Sequence, residues 1–148
     1  MARGYPDFFG VPIFPSYGPL ERTQSGPILI ATANNQDVIN VAAKGRSYGG
    51  HLEYHGTGNV FDATQVIVTI DGQILTGMFA STLLERGHQQ SYGLFARLLG
   101  YWRTATTEYV NYQFSPDFTW GLSCVINVIN NSGANILGTG AIYWAEVK

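Results

Sequence analysis

Ala63-Thr64-Gln65-Val66-Ile67-Val68-Thr69-Ile70-Asp71-Gly72 is the stretch on which the fold of this chain turns. Its β-branched residues are stiff at χ1 and crowd a helix, whereas they fit the pleated surface of a strand. Asp71-Gly72 closes the run, and glycine takes a positive φ without steric cost. Residues 63–71 are therefore predicted as a strand, Asp71-Gly72 as a type I′ turn, and residues 73–77 as the returning partner.

Period-two patterning with turn punctuation continues on both sides. Upstream, residues 28–33 form a short apolar run stopped by Asn34-Asn35-Gln36. Residues 37–44 alternate, with Ile39, Val41 and Ala43 on one face and Asn40 on the other. Residues 47–54 follow, carrying Tyr48, Leu52 and Tyr54, and residues 55–59 read as a turn. Downstream, residues 81–86 are the one predicted helix, with a capping hydroxyl at Ser81 and Gly87 as its stop. Residues 88–93 read as a loop, and residues 94–102 fit either a helical turn or a strand. Residues 106–114 alternate until Ser115-Pro116-Asp117 breaks the run. Residues 120–130 place Leu122, Cys124, Ile126 and Val128 on one face and Ser123 and Asn127 on the other. Asn131-Ser132-Gly133 turns the chain into a last strand over residues 135–147. The expected fold class is all-β: an antiparallel β-sandwich of seven or eight strands with one short helix and an extended N-terminal arm. A jelly-roll-like order is preferred over an immunoglobulin-like one, although spacing alone does not fix strand order.

The arm is residues 1–27, which hold five of the six prolines. Proline fixes φ, removes a donor and drives its predecessor into extended geometry, so neither a helix nor a central strand is expected there. The same segment carries Tyr5, Phe8, Phe9, Ile13, Phe14 and Tyr17, too much apolar surface for a solvated tail. These six are the expected partner-binding residues. Burying Phe8, Phe9 and Phe14 contributes about 1.5–3 kcal/mol each in transfer free energy before ordering costs. The chain is thus divided into a docking arm, residues 1–27, and a sandwich domain, residues 28–148.

Composition narrows the function classes. The 148 residues suffice for one domain with a real core. Charged residues are 12% of the chain, about half the usual share, so partners or neutral polar side chains must cover much of the surface. A net charge of −2 with scattered Lys and Arg leaves no basic stripe for nucleic acid. No apolar run has the length of a membrane helix, and no signal-peptide core follows Met1, so synthesis in a cytoplasm is expected. Cys124 is the sole cysteine, which rules out an internal disulfide.

Candidate chemistry is thin. Gly45-Arg46-Ser47-Tyr48-Gly49 matches the nucleophile-elbow pattern, but the residues after it alternate like a strand instead of opening a helix. Gly49-Gly50 is expected to mark a bulge or a close backbone approach. His51 and His55 share a strand face about 13 Å apart at 3.3 Å per residue, too far for one metal ion, with His88 as the remaining histidine. The ten carboxylates are scattered and no local spacing implies a convergent pair; Glu53 with Asp62 across a hairpin is a conceivable one, but Asp62 and Asp71 are expected to shape turns. Cys124 is expected to be a buried hydrophobe. No catalytic residue, metal ligand or cofactor is therefore assigned. Trp102, Trp120, Trp144, Tyr48, Tyr54 and Tyr109 are expected in core or subunit contacts, with a sugar platform as the competing reading. Of these, Tyr48, Tyr54, Trp102 and Trp120 are the named candidates for interface or glycan contact.

The chain resembles small structural proteins of tailed-phage virions, the accessory subunits that decorate the head or tail. The resemblance spans the chain. It is carried by Arg3-Gly4-Tyr5-Pro6-Asp7-Phe8-Phe9-Gly10, by Lys44-Gly45 and Tyr48-Gly49-Gly50, by Val68-Thr69-Ile70-Asp71-Gly72, and by the strand at residues 118–130. It implies a virion location, assembly in a host cytoplasm, a homo-oligomer (trimer favoured), docking on larger virion proteins such as the major capsid protein, and no enzymatic activity. No functional residue is carried over from it. The expected function is a non-enzymatic capsid decoration or accessory subunit. The alternatives are a tail-associated carbohydrate- or receptor-binding module and a small esterase acting through Ser47.

Overall fold

Alternation of β-branched and polar residues becomes alternation of buried and half-buried side chains. In the strand Thr64–Ile70, Val66, Val68 and Ile70 face inward and Gln65, Ile67 and Thr69 do not. The computed structural model describes residues 17–81 and 96–148. Among these lie β1 (Tyr17–Ile30), β2 (Asn34–Val41), β3 (Gly45–Gly56), α1 (Val60–Ala63), β4 (Thr64–Ile70), β5 (Gln73–Phe79), β6 (Ala96–Arg103), β7 (Glu108–Trp120), β8 (Cys124–Asn130) and β9 (Ile136–Val147). They form two sheets with antiparallel pairing throughout, one ordered β1-β9-β3-β7-β6 and the other β2-β8-β4-β5. The expected all-β sandwich is present.

One core lies between the sheets. Leu52 and Tyr54 of β3, Tyr112 and Phe114 of β7 and Ile142 of β9 join Ile39 and Val41 of β2 with Ile126 and Val128 of β8. At Asp71-Gly72 the chain reverses with φ of 53° and 78°, the paired positive angles of a type I′ turn. Gly49 has φ of +107°, and β3 shifts register just before it against β7, between Arg46 and Tyr48, and across it against β9, between Ser47 and Gly50. A Cβ on Gly50 would lie 2.3 Å from the Ala141 carbonyl oxygen, so the strands approach there because glycine permits it.

Several expectations are corrected. The arm assigned to residues 1–27 overlaps β1, whose residues 17–27 lie in the sheet; Tyr5, Phe8, Phe9, Ile13 and Phe14 fall outside the described residues. β1 accommodates Pro19 and Pro27 because it is the edge strand among the described residues, and register shifts coincide with each proline. Pro116 does not end β7. The last β6 partner is Ala96, opposite Phe114, so Pro116 sits where that flank has no described neighbour needing its N–H. Leu122 is not on a strand face but in the turn between β7 and β8, 73% exposed. The segment Asn34-Asn35-Gln36 opens β2 instead of stopping a strand, and the turn falls at residues 31–33, with Ala33 at φ 59°. A short helix, α1, stands where none is expected; of the expected helix at residues 81–86, Ser81 is helical together with Ala80, and residues 82–86 lie outside the described residues.

The sandwich has two distinct ends. Gly45 pairs with Trp120 and Glu146, whereas Gly56 at the other end of β3 pairs with Glu108 and Ile136. At ~3.3 Å per residue these ends are about 35 Å apart.

Candidate functional site

Strand register aligns five residues in one row on the outer face of the larger sheet, near the Gly56 end. Leu29 is paired with Leu137, Leu137 with His55, His55 with Tyr109, and Tyr109 with Trp102. Cross-strand neighbours on one face touch, so the rings stack. Trp102 and Tyr109 are 4.9 Å apart between centroids with planes 7° from parallel, and His55 and Tyr109 are 5.1 Å apart at 22°. Trp102 is 46% exposed on β6, the last strand of the sheet among the described residues. The next rows inward are polar: Glu53 beside Asn111 and Thr139, then His51 beside Gln113, whose side chain accepts from Arg97.

The hairpin β6–β7 has a second face. Alternation that sends Trp102 and Tyr109 outward sends Tyr101, Arg103 and Glu108 toward the end of the sandwich. There they line a cleft of about 430 Å3 with Thr57, Asn59 and Asp62 from the segment around α1. Glu108 is buried and organises this end. Its carboxylate accepts the Phe61 N–H at 2.9 Å and the Tyr101 hydroxyl at 3.4 Å, and Arg103 Nε lies 3.7 Å from it. The Tyr101 ring stacks on Phe61 at 4.0 Å. Burial and the Glu108 charge raise the Tyr101 phenol above its ordinary pKa.

The Gly45 end is built differently. Asp71 accepts backbone N–H groups from Gly121, Leu122 and Ser123, and these bonds hold its carboxyl below the usual carboxylate range. A depression of about 380 Å3 beside it is lined by Tyr17, Lys44, Asp71, Trp120 and Val147. Arg46 lies 5.6 Å from the ring centroids of both Tyr17 and Tyr48. Leu20, Ile74 and Leu122 are exposed at this end.

The four aromatic candidates separate cleanly. Tyr54 and Trp120 are core residues and offer no surface to a partner or glycan. Tyr54 packs on Tyr112, and burial drives both phenols up, Tyr112 to about 12. Trp120 donates to the Ala43 carbonyl at 2.5 Å and packs on Trp144, itself buried. Trp102 and Tyr48 are exposed, but at opposite ends. Of the arm candidates, Tyr17 is described, at the start of β1, with Arg46 donating to its hydroxyl at 3.3 Å.

Other candidate groups are engaged or scattered. Ser47 is buried inside β3, with no helix after it; its hydroxyl donates to the Ser115 carbonyl and accepts the Gly49 N–H. His51 and His55 lie in different rows, His88 is outside the described residues, and no metal-holding cluster occurs among the described residues. Glu53 is on the outer face and Asp62 in the cleft, so no hairpin joins them. Cys124 is buried, and burial pushes its thiol up to about 12. The cleft residues Asn59, Phe61, Tyr101, Arg103 and Glu108 were not legible as a group, because they converge from two segments more than 30 positions apart in the chain.

No protein-family model matches this chain, and no curated protein matches it either.

Proposed function

We propose that the sandwich is a jelly roll and that the chain is a non-enzymatic accessory subunit of a tailed-phage virion. The pairing list supports the jelly-roll reading. β1 with β9, β2 with β8, β3 with β7 and β4 with β5 are successive rungs of one long antiparallel hairpin. Rolling that hairpin up brings β3 against β9 and β4 against β8, the two remaining contacts that close the sheets. β6 then adds a fifth strand beside β7. Jelly rolls of this kind are common in capsid proteins and lectins.

The observation that carries the assembly reading is where Tyr17 sits. Tyr17, which follows the aromatic, proline-rich residues 1–16 in the chain, lies at the Gly45 end, where Leu20, Ile74 and Leu122 are exposed. Sparse charge over the whole chain favours a surface covered by neighbours. This end and its arm dock on a larger virion protein such as the major capsid protein, and copies associate there as a trimer. A stiff extended arm loses less entropy on docking, and repeated copies add avidity. Deleting residues 2–16 tests this: particles are expected to lose the subunit while its β-rich circular dichroism persists. Incorporation of the truncated chain at the wild-type level refutes the docking role.

A further inference from the structure

We propose that the Gly56 end of the sandwich is a carbohydrate-binding site for a neutral oligosaccharide, with Trp102 as its stacking surface and the cleft on the other face of the same hairpin as its hydroxyl-binding subsite. Two independent features lie at this end. One is the exposed ring row, in which Trp102 stands at the sheet margin with Tyr109 and His55 stacked behind it. The other is the cleft of about 430 Å3, a volume within the range of small-ligand sites. They occupy the two faces of one hairpin, because Trp102 alternates with Tyr101 and Arg103, and Tyr109 with Glu108, so an oligosaccharide that uses both passes round β6, the last strand of the sheet among the described residues.

The chemistry selects the ligand. A pyranose has an apolar C–H face and a rim of hydroxyls, so it needs an aromatic surface next to fixed donors and acceptors. Thr57, Asn59 and Asp62 supply hydroxyl, amide and carboxylate groups, and Arg103 supplies donors. The Trp102 ring is held in place by Tyr109, so little side-chain freedom is lost on stacking. Charge narrows the class further. Within the cleft, Glu108 already takes the Arg103 guanidinium, which leaves the Asp62 carboxylate without a described cationic partner. A phosphate, sulfate or carboxylate would meet net repulsion, whereas a neutral sugar would not. The two ends then divide the labour, assembly at one and recognition at the other, about 35 Å apart along β3.

The test is a glycan array of neutral oligosaccharides with sulfated and sialylated members as controls, probed with the full chain and four variants. Binding to neutral members is expected, weakened about tenfold or more by Trp102→Ala and by Asp62→Asn, and unchanged by Tyr48→Ala at the other end. Circular dichroism and the melting midpoint establish that each variant is folded. Deleting residues 2–16 is expected to leave the array pattern intact, which separates this site from the docking role. Absence of neutral binding, binding confined to anionic glycans, or wild-type binding by folded Trp102→Ala overturns the proposal.

Discussion

The Asp71 carboxylate accepts the Leu122 backbone N–H at 2.6 Å, fastening the turn between β4 and β5 to the turn between β7 and β8. Bonds from Ser123 and Gly121 complete the clasp. One short side chain thereby joins the tip of the smaller sheet to the connection between the two sheets.

This clasp gives stability a defined acid sensitivity. The backbone donors of Ser123, Gly121 and Leu122 stabilise the ionised form, so the folded-state pKa of Asp71 lies below its unfolded value. The contribution is therefore complete above the unfolded value of about 3.9 and is lost as pH falls through the lower folded value. Thermal melts of wild type and Asp71→Asn from pH 6 downward check this. The variant is expected to melt lower at pH 6, with the difference shrinking in acid; a constant difference contradicts it.

Asn130 is the second fastening. Its buried side chain donates to the carbonyls of Ile30 at 2.9 Å and Ala134 at 2.8 Å, and accepts the Ser132 N–H and hydroxyl. β1, β8 and the turn before β9 meet at this one amide. Asn130→Ala leaves several buried groups without partners and is expected to cost about 2–4 kcal/mol in urea unfolding. A cost below about 1 kcal/mol contradicts the structural role.

Cys124 offers a simple probe of packing. With its thiol buried and pushed up to about 12, almost no thiolate exists at pH 8. An aromatic disulfide reagent is expected to leave the native chain unlabelled for hours and to label the urea-unfolded chain within minutes. Rapid native labelling contradicts burial in a tight core.

Local chemistry made much of the fold legible. The β-branched residues 63–71 and Asp71-Gly72 specify a hairpin without help from the rest of the chain, and the structure has it. Residues 120–130 gave Cys124, Ile126 and Val128 their correct face because burial follows a period of two. Prolines were harder. Pro19, Pro27 and Pro116 look like strand breakers until sheet order places Pro19 and Pro27 at register shifts on the outer strand of the described sheet and Pro116 beyond the last described β6 pair. The candidate site was least legible. Tyr54 shares its strand parity with buried Leu52, but nothing local distinguishes core-facing Trp120 from exposed Trp102. The row from Leu29 to Trp102 exists only through register among five strands, of which β6 and β7 alone are neighbours in sequence.

Association through the Gly45 end is tested most directly by the solution mass of the full chain from light scattering, beside a variant carrying Ile74→Asp and Leu122→Asp. A protomer of 16.2 kDa is expected to give a species of about 49 kDa, three copies, and the variant a species at the protomer mass. A full chain that stays at the protomer mass across the accessible concentration range contradicts self-association, and a variant that remains a trimer contradicts the choice of surface.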